Sequence, residues 1–266
     1  MKSVAIYNFK GGAFKSTATY HIAAGLALRG KRVLVVDTDP QAHCTQMFGV
    51  RPRPALHDFL VRKARFQDVA VLVPPERYTP EKMTPRKGGY VAVIGGDSET
   101  TVIPMKLSDP LLLRKRLEAV SQGFDVFLFD TAPTPSLMSA VIYLAADYVL
   151  YPTKCEALHI DGLNRALEVR GTTNETRRTV NLPNINVLGI LPAIYRYNTL
   201  EHAEYRQYLI ETYGQDLVWK PIPDRIIWAE ASREALPVFA YAPGTKAARD
   251  AWEMVIEFER RLAVST

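Results

Sequence analysis

The sequence predicts an α/β fold of the doubly wound type, in which a mostly parallel sheet is flanked by helices. Two observations support this fold class. Short, continuous apolar runs, which are typical of strands buried on both faces, alternate with longer segments of helical periodicity. Aspartates also follow two of these runs directly, at Asp37 and Asp130. Strands that alternate with helices in this way favour a parallel sheet, at whose carboxyl edge ligands bind.

The first apolar run begins at Val4 and leads into Lys10-Gly11-Gly12-Ala13-Phe14-Lys15-Ser16-Thr17. Backbone N–H groups of a tight turn, followed by a helix N-terminus, form a site for the phosphates of a nucleotide. Lys15 can span the β- and γ-phosphates, and Ser16 can hold Mg²⁺. The usual loop has glycine immediately before the lysine, where this chain has Phe14. We therefore expect the ring to strain the turn or to push it aside.

The next elements follow in order. Residues 16–29 have helical spacing, and Gly30 stands where a helix C-cap is expected. Residues 32–36 predict a strand that ends in Asp37-Thr38-Asp39-Pro40-Gln41. Residues 50–90 lack clear periodicity and predict surface excursions, apart from a short helix near residues 55–63. A strand over 90–94 and a helix that starts with Asp109 as N-cap and ends at Gly123 complete the first half.

The second half continues the alternation. Four apolar residues precede Asp130 in a pattern of Walker B shape, in which the aspartate bonds Mg²⁺-bound water. Further strands are predicted at 147–152 and 185–191, and further helices at 161–170, 201–213 and 245–262. With 266 residues, 47% of them hydrophobic, the chain can bury one full core. We expect a single domain over residues 1–266.

Composition excludes few partners. The 33 Lys and Arg against 28 Asp and Glu give a net charge of +5, which fits either solvated surface charge or a patch for a polyanion such as DNA. Cys44 and Cys155 are far apart and predict reduced core residues. The five histidines lack a ligand spacing, so Mg²⁺ is the one metal expected. Without a leader-like N-terminus or a long apolar run, a cytoplasmic protein without a membrane partner is expected.

Taken together, three segments resemble the ParA family of deviant-Walker (ParA/MinD) partition ATPases. Lys10–Thr17 is similar to the family's Lys-Gly-Gly-x-Gly-Lys-Thr-Thr, Val36–Gln41 to its second motif, and Asp130–Pro133 to its third. Further on, Ile222-Pro223-Asp224, Ala229-Glu230-Ala231 and Pro237-Val238 resemble the stretch that lies beside the adenine in the family. The resemblance runs nearly from end to end and implies a P-loop NTPase fold of the deviant-Walker type.

The resemblance also implies the cofactors, ATP and Mg²⁺, and a role for each matching residue. Lys10 corresponds to the lysine that reaches across an ATP-bound dimer, Lys15 holds the phosphates in cis, and Asp39 positions the attacking water. Mg²⁺ is held by Ser16, Asp37 and Asp130, partly through water. The implied nucleotide-binding residues are Lys10, Gly11, Gly12, Ala13, Phe14, Lys15, Ser16, Thr17, Pro223 and Asp224.

The implied function is an ATP-dependent switch. The ATP-bound homodimer would bind non-specific DNA, and so associate with the nucleoid, and would position a plasmid, a chromosome or a protein cargo. A ParB-like adaptor would stimulate slow ATP hydrolysis. Since every charged group is retained but Phe14 departs from the pattern, we expect nucleotide binding with weak hydrolysis. Candidate DNA contacts are Arg225, Arg233, Lys246 and Arg249.

Two alternatives stay open on the residues alone. Phe14 is compatible with a pseudo-ATPase that serves as a nucleotide-binding scaffold. A MinD-like membrane-surface switch would need an amphipathic basic tail, for which the sequence leaves few residues after Leu262. A metabolic enzyme of related fold would need a substrate or cluster motif that does not occur here.

Overall fold

The computed structural model of the chain describes residues 2–264, so residues 1, 265 and 266 of the expected domain lie outside it. Within this range one sheet has the strand order β3-β4-β2-β5-β1-β6-β7. Only β3 runs antiparallel to its neighbour among these strands, which confirms the mostly parallel sheet. The strands are β1 Ser3–Ile6, β2 Arg32–Asp37, β3 Ala70–Leu72, β4 Tyr90–Ile94, β5 Val126–Asp130, β6 Tyr148–Thr153 and β7 Asn186–Pro192.

Helices cover both faces of the sheet. No helix within residues 2–264 combines the length and the apolar character that crossing a bilayer requires. The helices are α1 Lys15–Leu28, α2 His43–Met47, α3 Ala55–Leu60, α4 Phe66–Val69, α5 Ile103–Lys106, α6 Leu112–Glu118, α7 Leu137–Ala145, α8 Ala157–Thr179, α9 Leu200–Tyr213, α10 Ile226–Arg233, α11 Val238–Tyr241 and α12 Lys246–Val264.

The continuous apolar runs are explained by two hydrophobic cores, one on each face. Val4 and Ile6 of β1 belong to the core beneath α1 and α12, while Ala5 belongs to the core beneath α7 and α8. Since successive side chains of a strand point to opposite faces, each strand except the edge strand β3 contributes to both cores. Cys44 and Cys155 are buried and free, as predicted.

Several element boundaries were predicted wrongly. The short helix expected near residues 55–63 is α3, but the excursion at 50–90 also contains α4 and the edge strand β3, which were not predicted. The carboxylate of Asp109 accepts the N–H of Leu111, so α6 begins after Leu111 rather than at residue 110, and it ends at Glu118 instead of Gly123.

The helix predicted at 161–170 extends over the whole of α8. Its second half is polar in sequence, yet Arg177 is fully buried and donates hydrogen bonds to the carbonyls of Tyr143 and Ala146 at the end of α7. A guanidinium has five donors, so one side chain can satisfy several carbonyls that a helix end leaves unpaired. This anchor ties the last turn of α8 to the end of α7.

Candidate functional site

Three adjacent strands place the site at the carboxyl edge of the sheet. In the sheet order, β5 lies between β1 and β2, and Asp130 is paired in register with Ile6 on one side and with Asp37 on the other. The loop after β1 therefore begins beside the two aspartates. Elements that are distant in sequence are brought together here by the parallel topology alone.

The loop after β1 has two residues in the left-handed region, Gly12 with φ 69° and Phe14 with φ 71°. Glycine adopts this conformation freely, whereas for Phe14 it costs about 1–2 kcal/mol. The strain expected at Phe14 is therefore present, but the ring does not push the loop open. It is 7% exposed and packs edge to face on Trp228, with ring centroids 5.2 Å apart.

Lys15, the first residue of α1, keeps its ammonium group inside the loop. Its Nζ donates a hydrogen bond to the carbonyl of Lys10 at 2.9 Å, and the residue is buried. Burial lowers the pKa of Lys15, and the negative charges of Asp130 and Asp39 act in the opposite direction. A cation at a helix N-terminus, surrounded by loop N–H groups, is suited to bind phosphates.

The two aspartates form a buried acidic centre. Asp130 accepts hydrogen bonds from Ser16 Oγ at 2.7 Å and from Thr19 Oγ1 at 3.1 Å. Asp37 accepts from the backbone N of Thr45 at 2.8 Å and from its Oγ1 at 2.6 Å. Burial, together with the neighbouring Asp37, raises the pKa of Asp130 to about 8, and burial raises the pKa of Asp37 to about 6.

This donor set fits Mg²⁺. Carboxylate and hydroxyl oxygens are the ligands of a hard cation, and two buried carboxylates favour a divalent charge. Among residues 2–264, no group of three or more His, Cys, Asp or Glu residues could hold a metal ion by itself. Mg²⁺ is commonly bound through one or two carboxylates together with waters and substrate phosphates, so Ser16, Asp37 and Asp130 could hold it with a bound nucleotide.

An open pocket of about 740 Å³ lies over the loop. Its floor is formed by Gly11 to Thr17, and Asp39 lies in its wall. Asp39 is nearly buried, and its Oδ1 accepts the N–H of Gln41 at 2.9 Å. The structure thus brings together the predicted cradle, the candidate metal ligands and the predicted water-positioning carboxylate.

Lys10 lies apart from this pocket. Its backbone N–H donates to Asn8 Oδ1 at 3.0 Å, and the amide of Asn8 donates to the carbonyl of Pro152 at 2.9 Å. The side chain lines a separate cavity of about 150 Å³, whose lining includes Asp161 and Gly162 of α8. A Cβ at Gly162 would lie 2.8 Å from both Asn8 Oδ1 and Lys10 Cγ, so this close approach requires glycine.

Pro223 and Asp224, which the sequence places beside the base, do not line the pocket. Pro223 is buried, and its carbonyl accepts the indole N–H of Trp228 at 3.2 Å. Asp224 is paired with Arg196 at 2.8 Å. Trp228 therefore contacts both Pro223, through its indole N–H, and the ring of Phe14 in the loop.

The four candidate DNA contacts have different surroundings. Lys246 and Arg249 are exposed in the first turns of α12. Arg225 is half-buried and lies 3.2 Å from Asp250, whereas Arg233 lines the pocket over the loop. Among the four candidates, only Lys246 and Arg249 are both exposed and outside the pocket.

Sequence reasoning missed several residues that shape the site. Thr19 and Thr45 bond the two aspartates, Asn8 fixes the start of the loop, and Trp228 receives the ring of Phe14. His159 Nε2 lies 3.3 Å from the carbonyl of Gly11. Thr19 stands one helical turn after Lys15, a spacing that could have indicated its role. Thr45, Asn8, Trp228 and His159 carry no such signal in the sequence.

The fold and the site define a P-loop nucleotide-binding protein with an additional lysine at the start of the loop. A family model described as an AAA domain matches residues 1–182. The chain is 30% identical to the chromosome-partitioning ATPase Soj of Thermus thermophilus over 91% of this chain and 89% of that protein. It is 27% identical to the sporulation initiation inhibitor protein Soj of Bacillus subtilis over 99% of both. The chain therefore belongs to the ParA/MinD family of partition ATPases.

Solved structures agree on the fold. McdA of Cyanothece in its ATP complex has a TM-score of 0.80 at 18% identity, covering 99% of this chain and 96% of that chain. The cell division ATPase MinD of Pyrococcus furiosus has a TM-score of 0.74 at 23% identity, covering 97% and 98%. At these identities the likeness establishes the fold alone.

Proposed function

We propose that this protein is an ATP-dependent dimerising switch that binds non-specific DNA and positions a plasmid, a chromosome or a protein cargo. The observation that carries the proposal is the intact charge arrangement around the loop: Lys15 in the cradle, Asp130 bonded to Ser16, and Lys10 outside the cradle. Soj relatives that are chromosome-partitioning ATPases, and a McdA structure that holds ATP, support it.

Each charged group has a task that follows from its place. The backbone N–H groups of the loop and Lys15 bind the phosphates, while Ser16, Asp37 and Asp130 hold Mg²⁺, which neutralises phosphate charge when bound. Asp39 orients a water for attack. Lys10, which lies away from the cradle of its own chain, contacts the phosphates of a second copy. Such positioning and charge neutralisation suffice for slow phosphoryl transfer.

Hydrolysis is weak in this proposal because Phe14 holds a left-handed position under strain. A displacement of about 1 Å in the cradle costs about 100-fold in rate, whereas ionic contacts to the phosphates are less sensitive. The same observation favours a second candidate, a pseudo-ATPase scaffold that binds nucleotide without turnover. Hydrolysis stimulated by an adaptor protein of the ParB kind would exclude the scaffold.

DNA binding is assigned to exposed cations at the start of α12. Lys246 and Arg249 lie within one turn of each other on this helix and can both reach phosphates of a duplex. Affinity supplied by such contacts falls as salt rises, because counterions are released when the protein binds. In a cell, the ATP-bound form would then associate with the nucleoid.

The test is retention on a non-specific duplex with MgATP, with MgADP and without nucleotide, at two salt concentrations. Retention should require MgATP, fall with salt and be lost in Lys15→Ala. The Lys246→Ala/Arg249→Ala double variant should keep MgATP binding and lower the slope of log affinity against log salt by about 2. Retention that does not depend on nucleotide, or none in a folded protein, would refute the switch.

A further inference from the structure

The sheet order brings a further strand end beside the phosphate loop. Strand β6 pairs with β1 on the side away from β5 and β2, so its carboxyl end flanks the loop opposite the two aspartates. The first residue after β6 is Lys154, which is half-buried. The proton of the buried Thr153 hydroxyl is shared between the carbonyls of Lys154, at 3.2 Å, and His159, at 3.3 Å. These bonds fix the backbone from which the lysine side chain starts.

The side chain of Lys154 reaches the loop at Gly12. A Cβ at Gly12 would lie 4.0 Å from Lys154 Nζ, and Gly12 forms part of the pocket floor. The charge of Lys154 also acts on His159, whose Nε2 lies 3.3 Å from the carbonyl of Gly11. Burial lowers the pKa of His159, the positive charges of Lys154 and Lys10 lower it further, and Glu156 acts in the opposite direction. The ammonium group of Lys154 therefore lies at the β6 side of the loop.

This ammonium group has no counter-charge of its own in the protein. Within residues 2–264, none of the ion pairs includes Lys154, and the acid two residues further on, Glu156, lies instead 3.3 Å from His159 and 3.6 Å from His202. A half-buried cation has lost part of its hydration, so an anion that binds beside it is favoured. Beside Gly12, the phosphates of a nucleotide are such an anion.

We infer that Lys154 is a further nucleotide-binding residue, whose ammonium group donates a hydrogen bond to a phosphate oxygen of the nucleotide in its own chain. The inference rests on the proposed function, which supplies the nucleotide. Mg²⁺ at Asp37 and Asp130 neutralises phosphate charge on the β5 side of the loop, and Lys154 does so on the β6 side. With Lys15 at the start of α1, the cradle then has two lysines from the same chain instead of one.

Calorimetric titration of the full chain with MgADP and, separately, with magnesium pyrophosphate tests this role. Lys154→Met should weaken the binding of both ligands about tenfold to 100-fold, which is the contribution of a hydrogen bond to a charged group. Lys154→Arg, which keeps the positive charge, should bind both ligands within about fivefold of the wild type. Lys82→Met removes an exposed lysine that does not line the pocket and is the matched control.

Two further measurements distinguish a phosphate contact from a structural role. Since Lys154 has no counter-charge in the free protein, Lys154→Met should leave the free energy of unfolding in urea unchanged or raise it. Salt screens an ionic contact, so the MgADP affinity of the wild type should fall more steeply with rising salt than that of Lys154→Met.

Other results overturn the inference. Wild-type binding of both ligands by Lys154→Met removes the lysine from the site, and a loss of MgADP binding alone places its contact on the nucleoside. An equal loss in Lys154→Arg, or a lowered free energy of unfolding in Lys154→Met, assigns the lysine to the shape of the loop instead of to its charge. All these outcomes leave the proposed function standing, whereas a folded wild type that binds neither ligand refutes it.

Discussion

Replacing Phe14 by glycine separates the two effects of this residue, strain in the backbone and packing of the ring. The ring is almost fully buried against Trp228 in the core that contains α1. Truncating a buried phenylalanine destabilises a protein by about 3–5 kcal/mol. Glycine also relieves about 1–2 kcal/mol of left-handed strain, so the net loss for Phe14→Gly is about 1–4 kcal/mol.

Phe14→Ala is the matched comparison, because it removes the same ring but keeps a Cβ at a φ of 71°. The Phe14→Gly variant should therefore be more stable than the Phe14→Ala variant by about 1 kcal/mol, which is the reverse of the usual order at helical positions. Urea unfolding followed by circular dichroism measures both differences. If the Phe14→Ala variant has a free energy of unfolding equal to or higher than that of Phe14→Gly, residue 14 is not left-handed in solution and the reasoning fails.

The same variant tests the catalytic role of the loop. With glycine before Lys15, the loop N–H groups are free to settle around the phosphates, and turnover should rise by about tenfold to 100-fold. The comparison is made in excess MgATP. The unfolding curves give the fraction of folded protein, so turnover can be compared per folded molecule. Unchanged turnover in Phe14→Gly would show that Phe14 does not limit hydrolysis.

Three further predictions concern residues outside this contact. Arg177→Met should lower the free energy of unfolding by about 3–5 kcal/mol, since it leaves buried carbonyls unpaired, whereas exposed Arg178→Met should change it by less than about 0.5 kcal/mol in urea titrations. The raised pKa of Asp130 means that the folded state keeps a proton which the unfolded state loses, so stability without ligand falls as pH rises from 3.8 to about 8. Asp130→Asn should flatten that dependence in thermal melts and also abolish Mg²⁺-dependent nucleotide binding. Lys10→Ala should keep monomeric nucleotide binding and lose ATP-dependent dimerisation in light scattering, whereas equal loss of both would place Lys10 in its own cradle.

Much of the fold and of the charged site was predictable because local patterns determine them. A parallel strand buried on both faces reads as a continuous apolar run, and its carboxyl end is marked by the polar residue that follows, as at Asp37 and Asp130. The edge strand β3 was not predictable in this way. It is three residues long and partly exposed, so it has neither the run nor the alternation that indicates a strand.

The rest of the site depends on contacts between distant segments. Nothing near Thr45 in the sequence indicates that its hydroxyl and N–H bond Asp37, since that geometry arises from the turn before α2. The polar end of α8 likewise looks unlike a buried helix until Arg177 is seen to reach the carbonyls at the end of α7. Side chains that satisfy backbone groups across elements have no fixed spacing from their partners.

Phe14 shows how such a distant contact can change the meaning of a local pattern. A bulky residue in place of glycine predicts a disrupted loop if the loop is considered alone, because the left-handed turn is unfavourable and the ring needs space. Trp228, from the other end of the chain, gives the ring a buried partner whose packing offsets the strain. The charged groups then stay in place, with Lys15 bonded inside the loop and Asp130 bonded to Ser16. The departure from the family pattern therefore leaves the charged groups of the cradle in place.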